Sequence, residues 1–150
     1  AESDVVAQRE EALAAQLKEM RKRKRRLVDP LQYEMSISAQ DLSSYVPAFG
    51  WECAPPTEKQ IKTLEKLGIF PVEIGSAGKA KLLLDRLSKR REEGLTTPKQ
   101  IRFLESRGFL HVGEWSFDAA TKMINRIAAN DWRVPRGIVP KDYKPEAMMI

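Results

Sequence analysis

The side chains with most chemistry to offer are lysines and arginines placed at recurring positions. Lys59 and Lys99 each fall in the first turn of a predicted helix, where a positive group opposes the helix dipole by a few tenths of a kcal/mol up to about 1 kcal/mol. An unfavourable placement made twice points to a use, because helix N-terminal N–H groups beside a lysine can take a phosphate. Lys62 and Arg102 follow one turn on. Lys79, Lys81, Arg86 and Arg126 belong to the next helices, with Arg133 beyond, while Arg21, Lys22, Lys24 and Arg25 sit with Lys18, Arg23 and Arg26 in a basic run closing the first helix. These are the candidate nucleic-acid contacts; the ordinary alternative for each is a solvated helix face.

Other chemistries are poorly provided for. Gly75-Ser76-Ala77-Gly78-Lys79-Ala80 looks like a phosphate loop but lacks the four residues between glycines and the Ser or Thr after lysine. His111 is the single histidine, so histidine-based metal clusters and triads are absent, and its expected place is the surface. Cys53, the single cysteine, rules out an internal disulfide and is expected as a small buried apolar residue. Glu92-Glu93 sits on a charged helix end. The chain is therefore read as non-enzymatic by itself, with no catalytic residue and no metal or cofactor of its own.

The elements that position the cations are written twice. Thr57–Leu87 aligns without a gap on Thr97–Ile127 at an offset of 40, with 11 of 31 positions identical. Thr57-Glu58-Lys59-Gln60 and Thr97-Pro98-Lys99-Gln100 fit the capping box, and Pro98 takes the first helical position. Gly68-Ile69 and Gly108-Phe109 supply a left-handed stop followed by an apolar residue that packs back. Ser76 and Ser116 are N-caps for second helices, whose inward faces are Ala80, Leu83, Leu84 and Leu87, matched by Ala120, Met123, Ile124 and Ile127. The fold expected is all-α: a long N-terminal helix followed by a tandem duplication of helix-loop-helix hairpins.

The expected organisation is an amphipathic helix with a basic end over 1–28, an irregular connector with short helices over 29–56, hairpins over 57–94 and 95–134, and a tail over 135–150. Val6, Leu13, Met20 and Leu27 recur every seven residues with Leu17 between, but Glu10 and Lys24 interrupt a full coiled-coil seam. The helix then packs on this domain or on structure upstream. Asp29-Pro30 ends it. Ser38 or Ser43 caps a short helix within Tyr33–Tyr45, and Phe49 and Trp51 anchor the Pro47–Pro56 connector to a core. From Pro140 the tail is expected to be loosely ordered. The opening Ala1-Glu2-Ser3, without an initiator Met, is read as part of a longer protein.

Charge divides unevenly. Residues 1–56 hold 8 basic and 9 acidic residues, and residues 57–150 hold 18 and 12. The duplicated half therefore carries a net +6, which suits an anionic partner. No apolar run reaches membrane-spanning length and no signal-peptide pattern opens the chain, so a cytoplasmic setting without membrane contact is expected.

A first helix stopped by glycine and an apolar residue, a loop, and then Gly78-Lys79-Ala80-Lys81-Leu82-Leu83-Leu84-Asp85-Arg86-Leu87 is similar to the SAP domain, a small helical DNA-binding module. In the second unit Asp118 and Ala119 replace the Gly and Lys. Over roughly residues 9–145 the chain resembles the C-terminal region of DEAD/DEAH box helicases encoded by bacteriophages and prophages. The residues that carry this are Arg25-Arg26-Leu27-Val28-Asp29-Pro30, Ala54-Pro55-Pro56-Thr57-Glu58-Lys59-Gln60, Thr97-Pro98-Lys99-Gln100-Ile101-Arg102 and Arg126-Ile127-Ala128-Ala129-Asn130-Asp131-Trp132-Arg133-Val134-Pro135. The resemblance implies a parent ATP-dependent helicase, using ATP and Mg on RecA-like motor lobes upstream, in a bacterial cell. None of its ATPase motifs occurs here. Two roles stay open: a DNA-binding accessory domain, or a module in which Trp115, Phe117, Trp132 and the N-terminal apolar seam dock on the motor lobes or a replication partner. Oligomeric state is not legible.

Overall fold

Helix-forming signals dominate the sequence and are realised in a computed structural model that describes residues 2–145. Helix α1 spans Glu2–Arg26, and α2 (Pro30–Ser36), α3 (Gln40–Ser43) and α4 (Gly50–Cys53) are short. The duplicated hairpins are α5 (Glu58–Lys66) with α6 (Ala77–Glu92), and α7 (Pro98–Ser106) with α8 (Phe117–Ala129). Two 3-10 turns, Val112–Glu114 and Pro140–Asp142, complete the order. The described residues contain no strand, only isolated bridges between Val28 and Ile69 and between Leu95 and Ser116. None of their helices is long and apolar enough to cross a membrane.

The duplication is repeated atom for atom at the helix ends. Thr57 and Thr97 accept from the N–H groups of Gln60 and Gln100, whose side chains accept in return from the threonine N–H groups. Each glutamine amide also donates across its hairpin, Gln60 to the Ala77 carbonyl and Gln100 to the Phe117 carbonyl. The backbone follows: Ala77 N–H donates to Ala54 and Phe117 N–H to Gly94, at 2.7 and 2.8 Å. Ile69 and Phe109 reach back to the Leu64 and Leu104 carbonyls past left-handed Gly68 and Gly108, as the Schellman stop requires.

One apolar core joins both hairpins. Leu64, Leu83, Ile101, Leu104, Met123 and Ile127 are all but inaccessible, and Val28, Tyr33 and Leu42 from the segment before them belong to the same cluster. Residues 29–56 thus pack as well as connect. Arg90 fastens the joint between repeats: its Nη2 donates to the Thr96 carbonyl and hydroxyl and to the Gly113 carbonyl, the last at 2.8 Å. Burial lowers its pKa and raises that of Tyr33 beside it.

Several local expectations are overturned, each for a physical reason. Asp29 and Pro30 end α1 but also start α2, as N-cap and first residue. Ser38 is left-handed at φ 56° and Ala39, not a serine, precedes α3. Phe49 and Trp51 are exposed, and so is Cys53, because α4 faces α6 through Glu52 instead, with Tyr45 of the preceding segment beside it. Tyr45 Oη donates to Glu52 at 2.6 Å, and a Cβ at Gly78 would come within 2.9 Å of Glu52 Cβ. Gly78 is therefore a close-packing residue, which removes the phosphate-loop resemblance.

The tail does not leave the body at Pro140. Tyr143 packs edge-on against Phe109 with centroids 5.7 Å apart, and Pro145 is buried; residues 146–150 of the expected loose tail lie outside the described residues. Finally, α1 does not lie on this domain. Val6, Leu13, Leu17 and Met20 are 43–59% exposed, and its last turn is held through an Arg23–Glu65 ion pair, Arg102 hydrogen bonds to the Arg26 and Leu27 carbonyls and the burial of Leu27.

Candidate nucleic-acid interface

The second repeat departs from the first at its far end, and the departure builds a groove. Helix α6 runs to Glu92, whereas α8 stops at Ala129, three residues short of the position 40 further on. Asp131 and Trp132 then take left-handed backbones at φ 55° and 63°. Non-glycine residues adopt this conformation at about 1–2 kcal/mol each. It is held by Trp132 N–H to the Ile127 carbonyl at 2.8 Å and by Asn130 Nδ2 to the Arg133 carbonyl at 3.1 Å. Glycine takes the left-handed turn after α5, α6 and α7; here a side chain is kept.

That side chain folds back onto α7. The Trp132 indole meets Phe103 at 6.1 Å between centroids and 76° between planes, yet 57% of the residue stays exposed. Phe103 carries the Arg107 guanidinium over its ring at 4.8 Å. Trp132 is therefore the more open aromatic surface of the pair.

The facing wall is the last turn of α1. Arg102 Nη1 donates to the Leu27 carbonyl at 2.7 Å and Nη2 to the Arg26 carbonyl at 3.2 Å, pairing groups that a helix end leaves without partners. These bonds lock α1 to α7. Between them lies a groove of about 700 Å³ in which Arg25, Arg26, Lys99 and Arg102 surround Phe103 and Trp132. No Asp or Glu lines it, so four positive charges act together on whatever enters. Guanidinium and ammonium donors can hold phosphate oxygens while the rings offer π-faces.

The remaining sequence candidates scatter. Lys59 and Lys62 are exposed on α5 at positions matching Lys99 and Arg102, and neither has an ion-pair partner among the described residues. Arg21, Lys22 and Lys24 are exposed along α1, and Arg126 and Arg133 are exposed outside the groove. Three of these remaining candidates are committed within the molecule, as Arg102 is at the end of α1. Lys79 points inward, pairing with buried Glu34 at 2.8 Å and donating to the Leu42 carbonyl. Arg86 pairs with Asp41 at 2.6 Å, and Lys81 with Asp85 at 2.9 Å one turn along its own helix.

Trp115 is not available for docking, because it is fully buried against Phe109 and Tyr143. His111 is exposed, in a left-handed conformation that its repeat partner Pro71 cannot adopt. A second depression, about 610 Å³ between the repeats, has Tyr33 and Arg90 in its wall, where the Arg90 hydrogen bonds serve the joint.

Reading the sequence for charge found Arg26 only as part of the basic run closing the first helix, missed Phe103, and took Trp132 only as a docking residue. The signal lay in the offset: continued past Ile127, it pairs Phe103 with Thr63 and Trp132 with Glu92. Both aromatic positions are particular to the second repeat. No family model, curated protein or solved structure gives a significant match to the chain.

Proposed function

We propose that this chain is a non-catalytic, DNA-binding accessory region of an ATP-dependent helicase of the phage and prophage DEAD/DEAH box kind, working in the bacterial cytoplasm. The observation that supports DNA as ligand is the groove with four cations, two aromatic rings and no carboxylate. The helicase context rests on the sequence resemblance alone. In this reading ATP and Mg belong to the upstream motor lobes, and the groove holds or orients a strand beside them.

Fluorescence anisotropy with labelled oligonucleotides tests the reading. Micromolar affinity is expected, weakening by about 50- to 150-fold between 50 and 200 mM salt if four phosphates are contacted. Binding that ignores salt, or no binding at low salt by the folded chain, contradicts it.

A second reading has its own observation. The exposed apolar positions of α1, Val6, Leu13, Leu17 and Met20, form a seam that this domain does not cover. In that reading the chain docks on the motor lobes or on a replication partner, and its positive charge is incidental. DNA affinity unchanged after Lys59, Lys62 and Lys99 are replaced by Ala, with the fold intact, would favour docking.

A further inference from the structure

We infer that the groove takes an unpaired nucleic-acid strand, with one base stacked on Trp132 and the flanking phosphates held by Arg25, Arg26 and Lys99, while Arg102 keeps the end of α1 in place beside them. This rests on the DNA-binding reading and adds which form of the polymer is bound and by which contact.

The argument starts from the difference between repeats. Each has a cationic pair on its first helix, Lys59 with Lys62 and Lys99 with Arg102. Charge alone would serve a duplex backbone equally well in both. Only the second adds aromatic rings, where the first has Thr63 and Glu92, and it is beside these rings that Arg25 and Arg26 line the groove, while Arg23 turns to the first repeat and pairs with Glu65. In the first, the Thr63 hydroxyl turns back to its own helix at the Lys59 carbonyl, 2.7 Å away. A stacking platform has therefore been added to a phosphate-binding face at one site.

The platform is built for a face contact. Two consecutive left-handed residues keep Trp132 out of α8, and Phe103 meets it at 76°, edge to face rather than stacked. More than half of the Trp132 residue stays exposed in a groove whose charged lining residues are all cationic. Base pairs in a duplex stack on one another and present only their edges in the grooves. An unpaired base offers its face, and aromatic stacking with a basic backbone track is how single strands are held without sequence preference.

The test uses the full chain in a Trp51→Phe background, which leaves Trp132 as the exposed tryptophan beside buried Trp115. Oligothymidylate, a mixed-sequence single strand and the matching duplex are titrated at one salt concentration, reading anisotropy and tryptophan emission. Single strands should bind at least about tenfold tighter than duplex and quench emission, and adding Trp132→Leu should abolish the quench and weaken single-strand binding about tenfold, the scale of one stacked base. Trp132→Phe, which keeps an aromatic face, should restore part of that affinity. Equal binding of duplex and single strand, or single-strand affinity indifferent to Trp132→Leu, overturns the inference and leaves DNA binding standing. Absence of binding to every oligonucleotide overturns both.

Discussion

Lys79 illustrates how one residue type divides between chemistry and architecture. The sequence places it in a glycine-rich, phosphate-loop-like stretch, but its ammonium ends beside Glu34, which is only 3% exposed and also accepts from the Ser43 hydroxyl. Removing one partner of a buried pair strands the other charge, at about 3–5 kcal/mol. Lys79→Ala should therefore lower the urea midpoint sharply, whereas Lys81→Ala, which breaks an exposed pair, should change stability by less than about 1 kcal/mol. Comparable small effects would show that Lys79 is not an internal tie. Titration gives a second check. The Tyr45 hydroxyl, then the Ala48 N–H, holds the Glu52 carboxyl below its usual range, and the same bond pushes Tyr45 up to about 12. A lowered carboxyl pKa adds stability above the unfolded value, near 4.3, and that stability is lost as pH falls through the folded value. Acidification from pH 6 to 3 should lower the urea midpoint less in Glu52→Gln than in the parent; equal slopes would contradict the pairing.

At the scale of elements, what could be read in advance was local. Thr57 and Thr97 with their glutamines, Ser76 and Ser116 as caps, and Gly68 and Gly108 as stops depend on residues three to five apart, so the hairpins were legible. Of the small elements between Pro30 and Cys53 the presence of short helices was legible but not their bounds, because helices of four to seven residues have too little periodicity and are fixed by Tyr33, Leu42 and Glu52 meeting distant partners. The fate of α1 was also hidden. Its seam spacing suits packing, but nothing in the sequence says against what. An uncovered helix keeps only its own propensity and frays readily. Hydrogen exchange should find amides from Asp4 to about Met20 opening locally, while those of α6 and α8 exchange only on global unfolding. Protection of α1 equal to α8 in the dilute chain would contradict its solvent exposure.

For the whole molecule, the groove exists only because three distant segments meet. Arg25 and Arg26 come from α1, Lys99 and Arg102 from α7, and Trp132 from the turn after α8. The cations could be named from charge and repetition, but their division into tied and open sets depends on where Glu34, Asp41 and the carbonyls at the end of α1 fall in space. The repeats supply an internal comparison, the same cationic pair with and without aromatic neighbours. This makes position, rather than net charge, the property to test. The most direct measurement compares two variants of equal charge by anisotropy at low salt: Arg25→Glu with Lys99→Glu in the groove, and Lys89→Glu with Lys122→Glu on exposed helix faces away from it. A groove interface predicts that the first pair weakens DNA binding by more than about tenfold and the second by a few-fold at most, the latter from long-range charge alone. Equal losses from both pairs would mean that the affinity belongs to the overall charge and that the groove is not the interface.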